Sequence, residues 1–175
     1  AWPSPFLDSD NTLSFSIIIH DIAFCIHMED QSLLSSLQDF FPKQWQRPSQ
    51  NPIEVNWQKP IEDGDPWDQL EDPNCQFSGL FISQRDFLAK RITEKSIELM
   101  APLKIDDGFF NFLRYLLPLE LIKKGKVLFH SSCVVDNKGE AYLFFGPSGA
   151  GKTTISSLCQ AQGGNVLGDD MNLIS

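Results

Sequence analysis

The chain has 175 residues, 42% of them apolar, which is enough for one medium domain or two small ones and excludes disorder as the default. With 14 basic and 23 acidic residues the net charge is −9, which argues against non-specific binding to nucleic acid or to an anionic membrane surface. The four cysteines, Cys25, Cys75, Cys133 and Cys159, form no C-x-x-C pair, and no Cys or His falls at zinc-ligand spacing, so they read as reduced thiols of a cytoplasmic protein.

Residues 1–10 lack the basic start of a signal peptide, and the apolar run Ile17-Ile18-Ile19 is cut by His20-Asp21, too soon to span a membrane. Alternation predicts a β-hairpin over 13–27, with Leu13, Phe15 and Ile17 on one strand and Ile22, Phe24 and Ile26 on the other. His20 and His27 read as turn and strand residues rather than ligands. Asp30 is placed to cap a helix whose apolar face is Leu33, Leu34, Leu37, Phe40 and Phe41, and Pro42 ends it. Residues 42–75 are Pro-rich, with one strand at 53–57. The acidic cluster Glu62, Asp63, Asp65, Asp68, Glu71 and Asp72 lacks the residue order of a calcium loop and reads as a solvated loop able to carry partner contacts. Further strands at 77–82, 86–92 and 96–100 complete an α+β module, residues 1–104, expected to hold an antiparallel sheet with one wet face.

A connecting helix is expected within 105–126. Asp106-Asp107 caps it, and Phe109, Phe110, Phe112, Leu113, Leu116 and Leu117 make a broad apolar face. Pro118 kinks or ends it, and Lys123-Lys124-Gly125-Lys126 suits a helix C-terminus. A strand over 127–135 and a tight turn at Asn137-Lys138-Gly139 follow. The apolar run Tyr142–Phe145 then enters Gly146-Pro147-Ser148-Gly149-Ala150-Gly151-Lys152-Thr153, which is G-x-x-x-x-G-K-[ST] in register. A polyphosphate needs many donors converging on one anion, and glycines let backbone N–H groups approach where side chains would crowd. The next helix turns its positive end to the phosphates, Lys152 supplies a point charge, and the Thr153 hydroxyl is placed to ligate Mg²⁺. Candidate nucleotide contacts are therefore Gly146, Ser148, Gly149, Ala150, Gly151, Lys152, Thr153 and Thr154. Ile155, Leu158 and Cys159 recur at helical spacing until Gly163-Gly164. A short strand at 165–168 then ends in Asp169-Asp170. Neighbouring carboxylates of a strand point to opposite faces unless the strand has already ended, which predicts separate roles rather than a proton-sharing pair.

From His130 to Asp170 the chain resembles HPr kinase/phosphorylase and the HPr-kinase-like serine kinases, with FHSSCVVD, GPSGAGKTT, QGG and VLGDD in the family's order. Its fold is also similar to the nucleotide domain of phosphoenolpyruvate carboxykinase. The resemblance covers about a quarter of the chain. It implies an α/β P-loop domain, 127–175, that is only the first part of the family's domain. It also implies ATP- and Mg²⁺-dependent transfer of the γ-phosphoryl group to a hydroxyl, such as a serine of a protein or peptide. Asp169 takes the place of the family's catalytic base, Asp170 supports it or the metal, and His130 matches the histidine near the phosphates. Thr154 stands where the bifunctional enzymes have Glu, and Ser131 follows His130 where the family has Gly or Ala. The family continues past the position of Ser175, so a homo-oligomer, a complementing subunit or a longer chain is expected to complete the site. The alternative is a non-catalytic nucleotide-binding regulatory or scaffold module.

Overall fold

The computed structural model describes residues 11–59, 81–84 and 87–175, with the backbone alone for 81–84. The acidic cluster at 62–72, Cys75 and the expected strand start at 77–80 lie outside the described residues. The chain divides into two compact units, Ala1–Leu117 and Pro118–Ser175.

The first unit holds strands β1 (Leu13–Ile19), β2 (Ile22–Met28), β3 (Ile53–Gln58), β4 (Phe81–Gln84), β5 (Phe87–Thr93) and β6 (Ser96–Met100). It also holds helix α1 (Gln31–Phe40) and the start of α2 (Asp107–Ile122). β1 and β2 pair as the expected hairpin, and both turn residues, His20 and Asp21, take positive φ, as a tight turn matched to strand twist demands. The Asp30 carboxylate accepts the Leu33 N–H at 2.7 Å and so caps α1.

The sheet order is β1-β2-β3-β6-β5-β4. It is mixed rather than antiparallel: β3 runs parallel to β2 on one side and to β6 on the other. The reason lies in the connections. α1 and its flanking loops carry the chain from β2 to β3, and a long excursion through β4 and β5 separates β3 from β6. A parallel pair needs a crossover of that kind. β3 is correspondingly buried almost throughout, including its polar Asn56 (1% exposed) and Gln58.

One face of this sheet carries Phe15, Ile17, Phe24, Ile26, Ile53, Val55 and Trp57, all buried. Leu33 and Leu37 of α1 and Phe109, Phe112 and Leu116 of α2 are buried with them. Phe109 stacks on Trp57 at 4.7 Å between ring centres, nearly parallel, and the Trp57 indole N–H donates to the Ala101 carbonyl at 3.2 Å. Phe41 bridges Phe15 and Phe109. The Gly108 N–H reaches the Asp106 carboxylate, as expected of a capping residue, and α2 runs on through Pro118 to Ile122.

The second unit is built on β7 (Val127–Val135), which pairs antiparallel with β8 (Ala141–Phe145) along one edge. Along its other edge lie β9 (Asn165–Gly168) and β10 (Met171–Ile174), end to end. Helix α3 (Lys152–Ala161) lies against β7 and β9. The residue it buries is Ser156. The stripe marked by helical spacing is not turned to the sheet: Ile155 and Leu158 are exposed, because α3 meets β7 through Ser156 and Ser132.

Candidate functional site

The loop 146–151 is shaped by two left-handed residues, Gly149 (φ 80°) and Gly151 (φ 87°), a conformation that costs an L side chain about 1 kcal/mol or more. Gly151 is also the N-cap of α3, so no side chain caps the helix and its first-turn N–H groups have no side-chain acceptor from the cap. The Lys152 ammonium donates to the carbonyls of Gly146 (2.9 Å) and Pro147 (3.1 Å), holding a positive charge over the loop. The Thr153 hydroxyl sits one residue further into the helix.

Opposite the loop, the edge formed by β9 and β10 is interrupted by a two-residue bend, Asp169-Asp170. Gly168 pairs with Cys133 before it and Met171 pairs with His130 after it. Ser131 and Ser132 of β7 therefore lie across from the two carboxylates, and the Ser131 N–H donates to the Asp170 carbonyl at 3.0 Å. Asn172 locks the bend from behind, its amide donating to the Ser131 carbonyl at 2.7 Å. A Cβ at Gly168 would land on the Asn172 amide oxygen, so a larger residue there would require the Asn172 side chain to swing off the bend.

Asp169 and Asp170 have different partners. Asp169 Oδ1 lies 3.1 Å from Ser156 Oγ, and the Ser156 and Ser132 hydroxyls are in hydrogen-bond contact. Hydrogen bonding from Ser132, then from Ser156 and Thr153, together with the nearby Lys152 charge, holds the Asp169 carboxyl below the ordinary aspartate range, against a smaller opposing effect of desolvation. Asp169 is thus a carboxylate at neutral pH. Asp170 faces His130, whose Nε2 lies 3.5 Å from Asp170 Oδ1, and both side chains are well exposed.

These groups surround one cavity of about 380 Å³. Ser148, Gly149, Gly151, Lys152, Thr153 and Thr154 line it from the loop and α3, and His130, Asp169 and Asp170 line it from the strands. Gly146 and Ala150, also singled out as nucleotide contacts, belong to the loop's frame rather than the cavity lining: Gly146 gives its carbonyl to Lys152, and any Cβ at Gly146 would crowd the Ala150 methyl. The two carboxylates share the cavity despite their neighbouring positions, because the strand has ended at Gly168.

Sequence reasoning passed over Ser132, Ser156 and Asn172. The first two carried a signal. Ser132 is two residues from His130 on one strand, and Ser156 is four residues from Lys152 on one helix, so each shares a face with a singled-out residue. Asn172 had none, since its place depends on β10 pairing with β7.

Residues 103–175 match the family model described as phosphoenolpyruvate carboxykinase. The match covers fewer than half of the residues but includes α2, β7, the loop, α3 and the Asp169-Asp170 bend, which is every residue lining the cavity. It makes this part of the chain similar to an ATP-using, P-loop-related family. Among the described residues no helix is long and apolar enough to cross a membrane.

Proposed function

We propose that this protein is an ATP- and Mg²⁺-dependent, HPr-kinase-like phosphotransferase that moves the γ-phosphoryl group to a hydroxyl of a protein or peptide, and that it works in the cytoplasm. The observation that carries this reading is the convergence of Lys152, Thr153, His130, Asp169 and Asp170 on one cavity beside the N-terminus of α3. The phosphoenolpyruvate carboxykinase match over 103–175 supports the ATP-using part. The order of motifs from His130 to Asp170 supports the HPr-kinase-like part.

Phosphoryl transfer asks little covalent chemistry of a protein; positioning and charge stabilisation do most of the work. Loop amides and the Lys152 ammonium would grip the β- and γ-phosphates. Thr153 and Asp170 offer the hard oxygen donors that suit Mg²⁺. They would hold the ion, which supplies neutralisation of phosphate charge when bound. Asp169, kept ionised by its hydroxyl donors, would orient the acceptor hydroxyl and take its proton as the O–P bond forms. His130 would stand beside the phosphates, paired with Asp170.

The test is calorimetry with Mg²⁺-ATP, followed by transfer of labelled γ-phosphate to serine-bearing peptides and, as the alternative acceptor, to the pyruvate enolate that oxaloacetate yields on losing CO₂. Binding together with labelling of a hydroxyl is the expected result. Label on the enolate alone would keep the phosphotransfer and overturn the acceptor class. Binding with no acceptor labelled would favour a regulatory nucleotide-binding module. No heat with any nucleotide, on folded protein, would overturn the reading.

A further inference from the structure

The face of the first unit's sheet turned away from the aromatic core carries a polar group that phosphotransfer does not use. Cys25 and His27 are two residues apart on β2 and therefore project to the same side. In the parallel pairing of β2 with β3, Cys25 stands opposite Glu54 and His27 opposite Asn56. A Cys sulfur, an imidazole nitrogen and a carboxylate oxygen from these strands lie within 4.8 Å of one another, all partly buried.

The surroundings are built as well. His27 Nε2 is 2.6 Å from Glu54 Oε2, and its Nδ1 is 3.0 Å from Ser14 Oγ on β1, so both ring nitrogens are held and the imidazole cannot swing away. Ser16 Oγ lies 3.8 Å from Cys25 Sγ. The His27 side chain is only 17% exposed and that of Glu54 38%, which leaves an entry from the carboxylate side. Asn56 is 1% exposed, and its Oδ1 has no hydrogen-bond partner among the described residues.

We infer that Cys25, His27 and Glu54 form a binding site for a zinc-class divalent cation. The donor set of one thiolate, one imidazole and one carboxylate suits a borderline-soft ion. Bonds of about 2.0–2.3 Å to a tetrahedral zinc place its ligand atoms roughly 3.3–3.6 Å apart. His27 and Glu54, 2.6 Å apart, would part by less than about 1 Å to reach that spacing, and Cys25, within 4.8 Å of both, would close on them, the ion taking the place of the proton they share. Three protein ligands leave a fourth position for water, and the ion would tie β2 to β3. The expectation that no cysteine or histidine forms a metal site rested on spacing along the chain, which cannot register ligands brought together by a crossover.

The experiment uses chelator-stripped protein, titrated with Zn²⁺ by calorimetry and with Co²⁺ by absorbance. One equivalent, a thiolate-to-Co²⁺ charge-transfer band and a Zn²⁺-dependent rise in thermal midpoint are expected. Cys25→Ser should abolish the band. His27→Ala and Glu54→Gln should each weaken Zn²⁺ binding at least tenfold, with circular dichroism checking the fold, while Asp170→Asn should change none of this. A missing band in the wild type, a band that survives Cys25→Ser, or an ion lost in Asp170→Asn would overturn the site; the last would move the ion to the phosphate loop. All readouts are independent of nucleotide turnover.

Discussion

The two units treat their polar groups in opposite ways. In the first, one sheet face is sealed by stacked aromatics, and the other carries the partly buried Cys25, His27 and Glu54 beside the fully buried Asn56. In the second, the polar groups open on a cavity while large apolar side chains such as Phe145 and Leu158 stand exposed. Each arrangement favours the charged form of one group through its neighbours. In the first unit hydrogen bonds that the protonated imidazole donates to Cys25 and then to Glu54 raise the His27 pKa to about 9 despite burial. In the second, serine hydroxyls lower that of Asp169. The difference teaches that the first unit holds most of the buried apolar core and the second the polar groups that line the cavity.

The sharpest way to break that division is Asp169→Asn. We expect turnover to fall by about 10²–10⁴-fold, the usual worth of a positioned acid–base group, with Mg²⁺-ATP affinity changed only a few-fold. Unchanged single-turnover rates would remove Asp169 from the chemistry. Next in size, Trp57→Ala should cost the fold about 3–5 kcal/mol. It deletes the stack on Phe109 and strands the Ala101 carbonyl, and denaturant unfolding would read the loss. Nucleotide affinity of the folded protein should not follow it; if it does, the two roles are not separable.

Lys152→Ala should weaken ATP binding by about 10–100-fold, the worth of a charged hydrogen bond or so, measured by calorimetry. Smaller still are two titrations. In metal-free protein His27 should titrate by NMR near 9 rather than near the ordinary 6.5. The sign follows from the raised value: the stabilisation is complete below 6.5 and is lost as pH climbs through about 9. Asp169 runs the other way. Its contribution is present above the ordinary aspartate pKa and is lost as pH falls through the depressed one. Ser132→Ala should move the Asp169 midpoint up towards the ordinary range, and an unmoved midpoint would mean that Ser132 is not the donor that matters.

Much of this architecture can be read from local residue order. The β1–β2 hairpin, the Asp30 cap, the loop and the carboxylates at the end of β9 all depend on neighbours within a few positions. What escaped is what depends on partners far along the chain. The parallel pairing of β3 is invisible in Ile53-Glu54-Val55-Asn56-Trp57, because its alternation suits a wet-faced antiparallel strand equally well. The gathering of Cys25, His27 and Glu54 follows from that pairing and was hidden with it. Ser156 was masked by its neighbours, since Ile155 and Leu158 suggest the wrong inner face for α3.

The bend at Asp169-Asp170 has a mechanical consequence. It is anchored to the same strand, β7, both before and after, and Asn172 ties it down again. The acids are therefore held on one strand, whereas the loop opposite carries two left-handed glycines and the long lysine arm. A one-residue slip of β10 against β7 would not merely displace a carboxylate; it would throw every side chain of β10 onto the reverse side of the sheet.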